Sequence, residues 1–306
     1  MKSFTKELNH KIGNSEDLDF QSLKVSVQLK RKSLFKSSFG KDYTFYDIAS
    51  LTKIVFTTVW FMESFNSNGK LLKTKVQEIL PWYEHRRVSL GELLNHSAGN
   101  EWWKPFYKNI SGSLDPEQAY QQMEKVCREA PLSNSGKAVY SDLDFYLLGS
   151  IMQKLEGRPL IEIWNRIKRT YYPKSQFHFN YQNRTLFDKS KYAPTEKCPW
   201  RKKVLRGEVH DENCCALGGV APHAGLFGRI EDLVSYGQLI RKIEQGKVST
   251  IRRKTLEVFQ KQSLPANKGF WGYGFMKPSL NGSSAGELFS RKAFGHTGFT
   301  GTSFWF

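Results

Sequence analysis

The chain has 306 residues, 39% hydrophobic and 14% aromatic, enough apolar content to bury a substantial core as one large domain or two closely packed lobes. Its formal charge of +17 suits an anionic partner such as a cell-wall polymer, a lipid surface or nucleic acid, but basic runs such as Lys30, Arg31, Lys32 and Arg201, Lys202, Lys203 read as solvated turns, and no nucleic-acid partner is expected. No stretch reaches the roughly 18 consecutive apolar residues of a spanning helix, and Met1 to Ser22 lacks the apolar region of a secretory signal, so a cytoplasmic product is expected.

Leu23, Val25, Val27 and Leu29 alternate with Lys24, Ser26 and Gln28, the two-residue period of a half-buried strand. A polar turn from Lys30 to Ser33 leads into a second strand over Leu34 to Phe39, so the fold is expected to open on a hairpin. Asp47 to Phe65 carries Ile48, Leu51, Ile54, Val55, Val59, Trp60 and Phe61, apolar on nearly every face, which predicts a helix buried on most sides. Further helices are predicted over Val76 to Leu80, Leu90 to Asn95, Pro116 to Glu129, Ser141 to Glu156 and Leu160 to Arg169. Glycine-rich stretches at Gly218-Gly219 and Gly225 to Gly228 then precede a helix over Ile230 to Glu244 and a Gly/Thr-rich terminus. Cys127, Cys198, Cys214 and Cys215 are too few and too irregular for a disulfide framework and read as free packing thiols. Neither Cys-x-x-Cys nor His-x-x-x-His spacing occurs, and no metal or other cofactor is expected.

A lysine inside a buried helix calls for an explanation. Ser50 and Lys53 stand three residues apart, so at the first turn of a helix they share one face and their side chains can meet. Burial among Ile48, Val55 and Phe56 would disfavour the lysine's charge and lower its pKa, which would make it a base for the serine. Taken alone, the same spacing is better read as an N-capping Ser50 followed by an exposed Lys53.

Two companions follow in order: Tyr140-Ser141-Asp142 at the start of a predicted helix, and His296-Thr297-Gly298 in a strand-like context. With Ser50-Leu51-Thr52-Lys53 they resemble the three-motif signature of the penicillin-recognising serine hydrolases: serine β-lactamases, DD-peptidases and their esterase relatives. Leu93-Leu94-Asn95-His96-Ser97-Ala98-Gly99, Gly207-Glu208-Val209-His210-Asp211-Glu212-Asn213 and Gly225-Leu226-Phe227 resemble segments of the same family, and the likeness runs from about Phe20 to Phe306.

The resemblance implies that Ser50 attacks a carbonyl to form an acyl-enzyme while Lys53 and Tyr140 relay its proton to the leaving group. Tyr140 would be held partly ionised by Lys53 or would act within a shared proton network. Asp142 stands where lactamases commonly have Asn, and its carboxylate would hold Lys53 charged, which leaves the protonation state of Lys53 open. His296 stands where lactamases usually have Lys, so the fixed cation for a β-lactam carboxylate is weakened; activity rising through a histidine-like ionisation is expected, with aryl esters preferred over penicillins. The backbone N–H groups of Ser50 and Phe299 match the family's oxyanion hole, Thr297 and Gly298 line the same strand, and His210 is either a substrate contact or a polar turn. His223, in Ala221-Pro222-His223-Ala224-Gly225, carries the same two readings.

The implied fold is α/β (α+β): a mainly antiparallel sheet flanked by helices, drawn from residues 1–70 and 204–306, packed against a helical lobe over 71–203, the whole forming one domain. The implied substrate is a small molecule or a peptidoglycan-derived peptide, cleaved as an ester, amide or D-alanyl peptide; the alternative is a catalytically silent family member that binds a muropeptide or acylated ligand as a sensor or scaffold. Relatives continue with two further strands and a helix past the His-Thr-Gly strand, so a strand supplied by another chain, and poor activity without it, are expected of this sequence.

Overall fold

The alternating residues after Gln21 form β1 (Ser22–Leu29), which pairs antiparallel with β2 (Lys32–Gly40), Leu23 opposite Phe39 and Val25 opposite Ser37. The computed structural model describes residues 21–29, 32–110, 115–133 and 136–306, together with Glu7 and His10. Lys30 and Arg31, at the expected hairpin turn, lie outside the described residues, as does most of the N-terminal stretch read for a secretory signal.

The buried helix starts later than its hydrophobic pattern predicts. Asp47 belongs instead to β3 (Tyr46–Asp47), which pairs with Phe227 and Gly228 of β7 (Leu226–Gly228), itself paired on its other side with β4 (His178–Phe179). Ala49 then turns with φ of 45°, a left-handed value that costs a non-glycine residue about 1–2 kcal/mol. Helix α1 (51–67) begins only after this turn. Its Lys53–Thr57 segment is wound as a π-helix and its Thr58–Ser67 segment as an α-helix; residues 53–62 are buried without a break. Within the π turn, the Val55 carbonyl accepts from the Tyr172 hydroxyl at 2.9 Å. Single π turns of this kind are frequent at functional sites.

Helices α2 (Val76–Ile79), α3 (Leu90–Leu94), α4 (Pro116–Glu129), α5 (Asp142–Glu156) and α6 (Leu160–Tyr171) occupy the segments read as helical. Ser141 caps α5, its hydroxyl accepting from the Asp144 N–H at 3.3 Å, so the motif residue Asp142 is the first of the helix. At the far end Gly157 closes α5 with φ of 63°. Helix α7 (Glu212–Ala216) is short and has no apolar period long enough to signal it; Asp211 caps it through the Cys214 N–H at 2.6 Å. Helix α8 (Ile230–Glu244) fills its predicted span, and α9 (Arg253–Gln260), not anticipated from the pattern, packs on α1 through Phe259 and Phe65.

The strands do not merge into one large sheet among the described residues. They form four small antiparallel ones: β1–β2, β3–β7–β4, β5 (Pro194–Cys198) with β6 (Lys203–Arg206), and β8 (Gly295–Thr297) with β9 (Ser303–Trp305). Phe304 of β9 packs against Tyr236 of α8, with ring centroids 4.9 Å apart. A single hydrophobic cluster running from Ile48 to Phe294 joins α1 to helices of the middle of the chain. All four cysteines are buried free thiols, and among the described residues no helix is long and apolar enough to cross a membrane.

Candidate active site

Three segments distant in sequence meet at the N-terminus of α1. Ser50 Oγ lies 2.7 Å from the Tyr140 hydroxyl, and the Lys53 ammonium donates to Ser50 Oγ at 3.1 Å, to the Tyr140 hydroxyl at 2.7 Å, to Asp142 Oδ1 at 2.7 Å and to the His223 carbonyl at 3.3 Å. Lys53 projects from the first turn of α1, and Tyr140 and Asp142 flank the cap of α5, so the site sits between two helix N-termini.

The Lys53 side chain is fully buried. Burial opposes its charge, as the sequence suggested, but the Asp142 carboxylate and Tyr140 outweigh that cost and the net direction is upward, so Lys53 is an ammonium and not the free amine expected from burial alone. Tyr140 is pushed up to about 12, first by burial and then by Asp142, with Lys53 pulling the other way. The phenol is therefore neutral at rest, which leaves a shared proton network and removes partial ionisation.

The strand-borne residues reach the site through a turn. The Thr300 hydroxyl donates to the Asp47 carbonyl at 2.7 Å and the Thr302 hydroxyl to the Ile48 carbonyl at 3.1 Å. A Cβ on Gly298 would come within 2.7 Å of that Ile48 carbonyl, so only glycine lets the turn lie this close to the residues before Ser50. Phe299 follows, 83% exposed, its ring 5.2 Å from that of His210. The His210 N–H donates to Asp47 Oδ2 at 2.7 Å, while Asp47 Oδ1 accepts from the Ala49 N–H at 2.8 Å and holds the turn before the nucleophile. His210 thus joins the site through Phe299 and Asp47.

His296 is buried, with its ring 5.8 Å from Tyr140 and 5.9 Å from Trp271. Its Nδ1 donates to the Thr297 carbonyl at 2.6 Å, and Nε2 has no partner among the described residues. Burial, with Lys53 nearby, lowers its pKa to about 3, so the partial cation expected at this position is absent and no histidine-like rise of activity between pH 5 and 8 should come from His296.

The same burial has a consequence for stability. His96 is held well below its ordinary value, His178 falls to about 4 and His296 to about 3, each chiefly by burial, so all three stay neutral where the unfolded chain would protonate them below about pH 6.5. Their stabilising contribution is present above that pH and is lost as the pH falls. Buried Asp47 and Asp144 run oppositely, since burial raises them and their contribution is lost as the pH rises. Glu124, raised by burial, acts with the two aspartates. Melting temperature is expected to fall from pH 6.5 to 4.5 as the unfolded chain protonates these histidines; a flat or rising profile would show that the buried carboxyls outweigh them.

Trp271 was not legible as a site residue. It lies in no motif, and only the folded chain stacks it on Tyr140, with centroids 5.9 Å apart and planes 20° from parallel. His223 has an identifiable place: its carbonyl accepts from Lys53, and its Nε2 lies 3.1 Å from Asp211 Oδ1. Two groupings bring possible metal ligands together, Asp142 with Asp211 and His223, and Glu196 with Cys198 and Glu212. A cation already serves each: Lys53 on Asp142 at 2.7 Å, and Arg201, whose Nε donates to Cys198 Sγ at 3.3 Å.

A model of the family described as Beta-lactamase matches residues 15–306. The chain is 29% identical over 293 residues to a protein of Bacillus subtilis (strain 168) named N-acetylmuramyl-L-alanine amidase, covering 86% of this chain and 65% of the relative. It is 28% identical over 295 residues to a protein of Escherichia coli (strain K12) named D-alanyl-D-alanine carboxypeptidase, covering 85% and 65%. It therefore spans about two thirds of the length of these relatives. Among solved structures, EstCE1, described as a hydrolase with promiscuous acyltransferase activity, superposes with a TM-score of 0.70 at 16% identity, over 100% of this chain and 88% of the other.

Proposed function

Because this chain belongs to the beta-lactamase family, we propose that it is a serine hydrolase that forms an acyl-enzyme at Ser50 on an ester, an amide or a D-alanyl peptide. The observation that carries this reading is the Ser50 hydroxyl held 2.7 Å from the Tyr140 hydroxyl and 3.1 Å from the Lys53 ammonium. The relatives' names, an amidase and a carboxypeptidase, favour a peptidoglycan-derived substrate.

In this mechanism the Ser50 oxygen bonds to the substrate carbonyl carbon while its proton passes to the Tyr140 oxygen. Tyr140 gives its own proton to the departing oxygen or nitrogen, so the phenol is neutral before and after the step. The two transfers are concerted, so the Tyr140 oxygen never carries two protons, and Lys53 remains charged, donating to both hydroxyl oxygens and stabilising the negative charge that grows on the Ser50 oxygen as it attacks. The N–H groups of Ser50 and Phe299, the pair the family resemblance assigns, would donate to the carbonyl oxygen, each such donor contributing roughly 3 kcal/mol to the transition state. Water then releases the acyl group by the reverse relay. Neutral His296 offers an acceptor nitrogen in place of a cation, which disfavours substrates that need a carboxylate anchored there and favours esters over penicillins.

The test is treatment with a fluorophosphonate followed by peptide mass spectrometry, beside turnover of p-nitrophenyl esters, a penicillin and a D-Ala-D-Ala peptide. An adduct on Ser50 and ester turnover exceeding penicillin turnover are expected. An adduct on another residue would sink the assignment, and noncovalent peptide binding without any adduct would identify a binding protein in place of an enzyme.

A further inference from the structure

His96 grips the chain on both sides of Tyr140. Its carbonyl accepts from the Val139 N–H at 2.9 Å, and its ring Nδ1 accepts from the Ser141 N–H at 3.2 Å. The ring also lies 5.0 Å from the Tyr140 ring and stands 74° to Trp271 at 4.5 Å, so the three rings pack against one another and Tyr140 is held on one side by both. His96 is 1% exposed and has φ of 60°, a left-handed conformation that aims carbonyl and ring at the same segment.

The direction of one backbone N–H assigns the tautomer of His96. The Ser141 N–H direction is set by the backbone at the cap of α5 and points at His96 Nδ1, so that nitrogen presents its lone pair. Asp144 Oδ2 lies 3.0 Å from the same nitrogen, while Asp144 Oδ1 accepts from Asn100 Nδ2 at 2.8 Å. A carboxylate oxygen facing a lone pair would be repelled, whereas a carboxylic acid there shares that single lone pair with the Ser141 N–H as a second donor. Burial, which raises the Asp144 pKa well above its ordinary value, acts in the same direction.

We propose that His96 is a positioning residue for the reaction, a two-point clamp that sets the Tyr140 hydroxyl between Ser50 and Lys53, and that Asp144 locks the clamp as a neutral acid donating to His96 Nδ1. This rests on the acyl-enzyme reading above for its rate consequence, but the clamp itself is a structural claim and is read separately.

The experiment compares the unmodified protein with His96→Ala, His96→Asn and Asp144→Asn, by fluorophosphonate labelling kinetics and by NMR of 13Cζ-tyrosine, with the Tyr140 resonance assigned by its loss in Tyr140→Phe. Asparagine tolerates the left-handed backbone and places an amide oxygen near the position of Nδ1, so it restores the acceptor for Ser141. In His96→Ala the Tyr140 resonance should shift and the maximal labelling rate fall about 100-fold, the loss expected of a displacement near 1 Å, with the half-saturating probe concentration little changed. His96→Asn should recover most of that rate and the native resonance. Asp144→Asn, whose amide N–H donates to Nδ1 while its carbonyl accepts from Asn100, should label within about 3-fold of the unmodified protein. An unmoved Tyr140 resonance in His96→Ala overturns the clamp. A fall of about 100-fold in Asp144→Asn overturns the neutral acid, whether or not His96→Ala folds. Native tyrosine spectra with no labelling of the unmodified protein sink the acyl-enzyme reading and leave the clamp standing.

Discussion

Ser50→Ala is expected to abolish acylation while leaving stability nearly unchanged. The hydroxyl has two partners, Tyr140 at 2.7 Å and Lys53 at 3.1 Å, and these remain hydrogen-bonded to each other at 2.7 Å when it is gone. No buried charge loses its counterion and only one small atom leaves, so the change in unfolding free energy should stay within about 1 kcal/mol. The rate has no such reserve: without the oxygen nucleophile no covalent intermediate forms, and losses of about a million-fold accompany removal of the nucleophile in other serine hydrolases. Intact-protein mass after probe treatment, beside urea unfolding, checks both halves. Residual labelling at the unmodified rate would remove Ser50 from the mechanism, and a large loss of stability would show that the hydroxyl is structural.

Lys53→Met should lose activity and stability together. Methionine nearly preserves the side-chain volume, so the effect is electrostatic rather than a cavity. The substitution leaves the Asp142 carboxylate, whose side chain is only 12% exposed, with no cation, and strips the Tyr140 hydroxyl and the His223 carbonyl of a donor. Breaking a buried ion pair from one side costs about 3–5 kcal/mol, a large part of the about 5–15 kcal/mol that holds an ordinary domain folded. Pairing it with Asp142→Asn removes the orphaned charge, so the double variant should regain much of the stability and none of the activity. If Lys53→Met unfolds at the same urea concentration as the unmodified protein, the Asp142 pair is not the counterweight that keeps the lysine charged.

The two variants separate what the primary sequence carries from what folding adds. Helix positions were legible wherever the apolar period was long: Pro116–Glu129 and Ile230–Glu244 fall on their predicted spans, and the hairpin of Ser22–Leu29 with Lys32–Gly40 follows from two-residue alternation. The order of Ser50-Leu51-Thr52-Lys53, Tyr140-Ser141-Asp142 and His296-Thr297-Gly298 along the chain, with their flanking segments, likewise carried the resemblance to the family. The start of the nucleophile helix was misplaced because Asp47, apolar company notwithstanding, is drawn into a strand pairing with Phe227, a partner 180 positions away that no local pattern announces.

By itself, then, the sequence determined the elements and the residue types available for chemistry, since periodicity and motif spacing are local properties that survive in an unfolded chain. The tertiary structure alone decided the protonation states. Burial argues for a neutral Lys53, but Asp142, 89 residues on, supplies a carboxylate at 2.7 Å and reverses the outcome. Tyr140 and His296 are neutral for the complementary reason: both are desolvated, and neither gains a counterion strong enough to offset that cost. A pKa is set by the dielectric and the charges within a few ångströms, and for this site both come from segments that only the folded chain brings together.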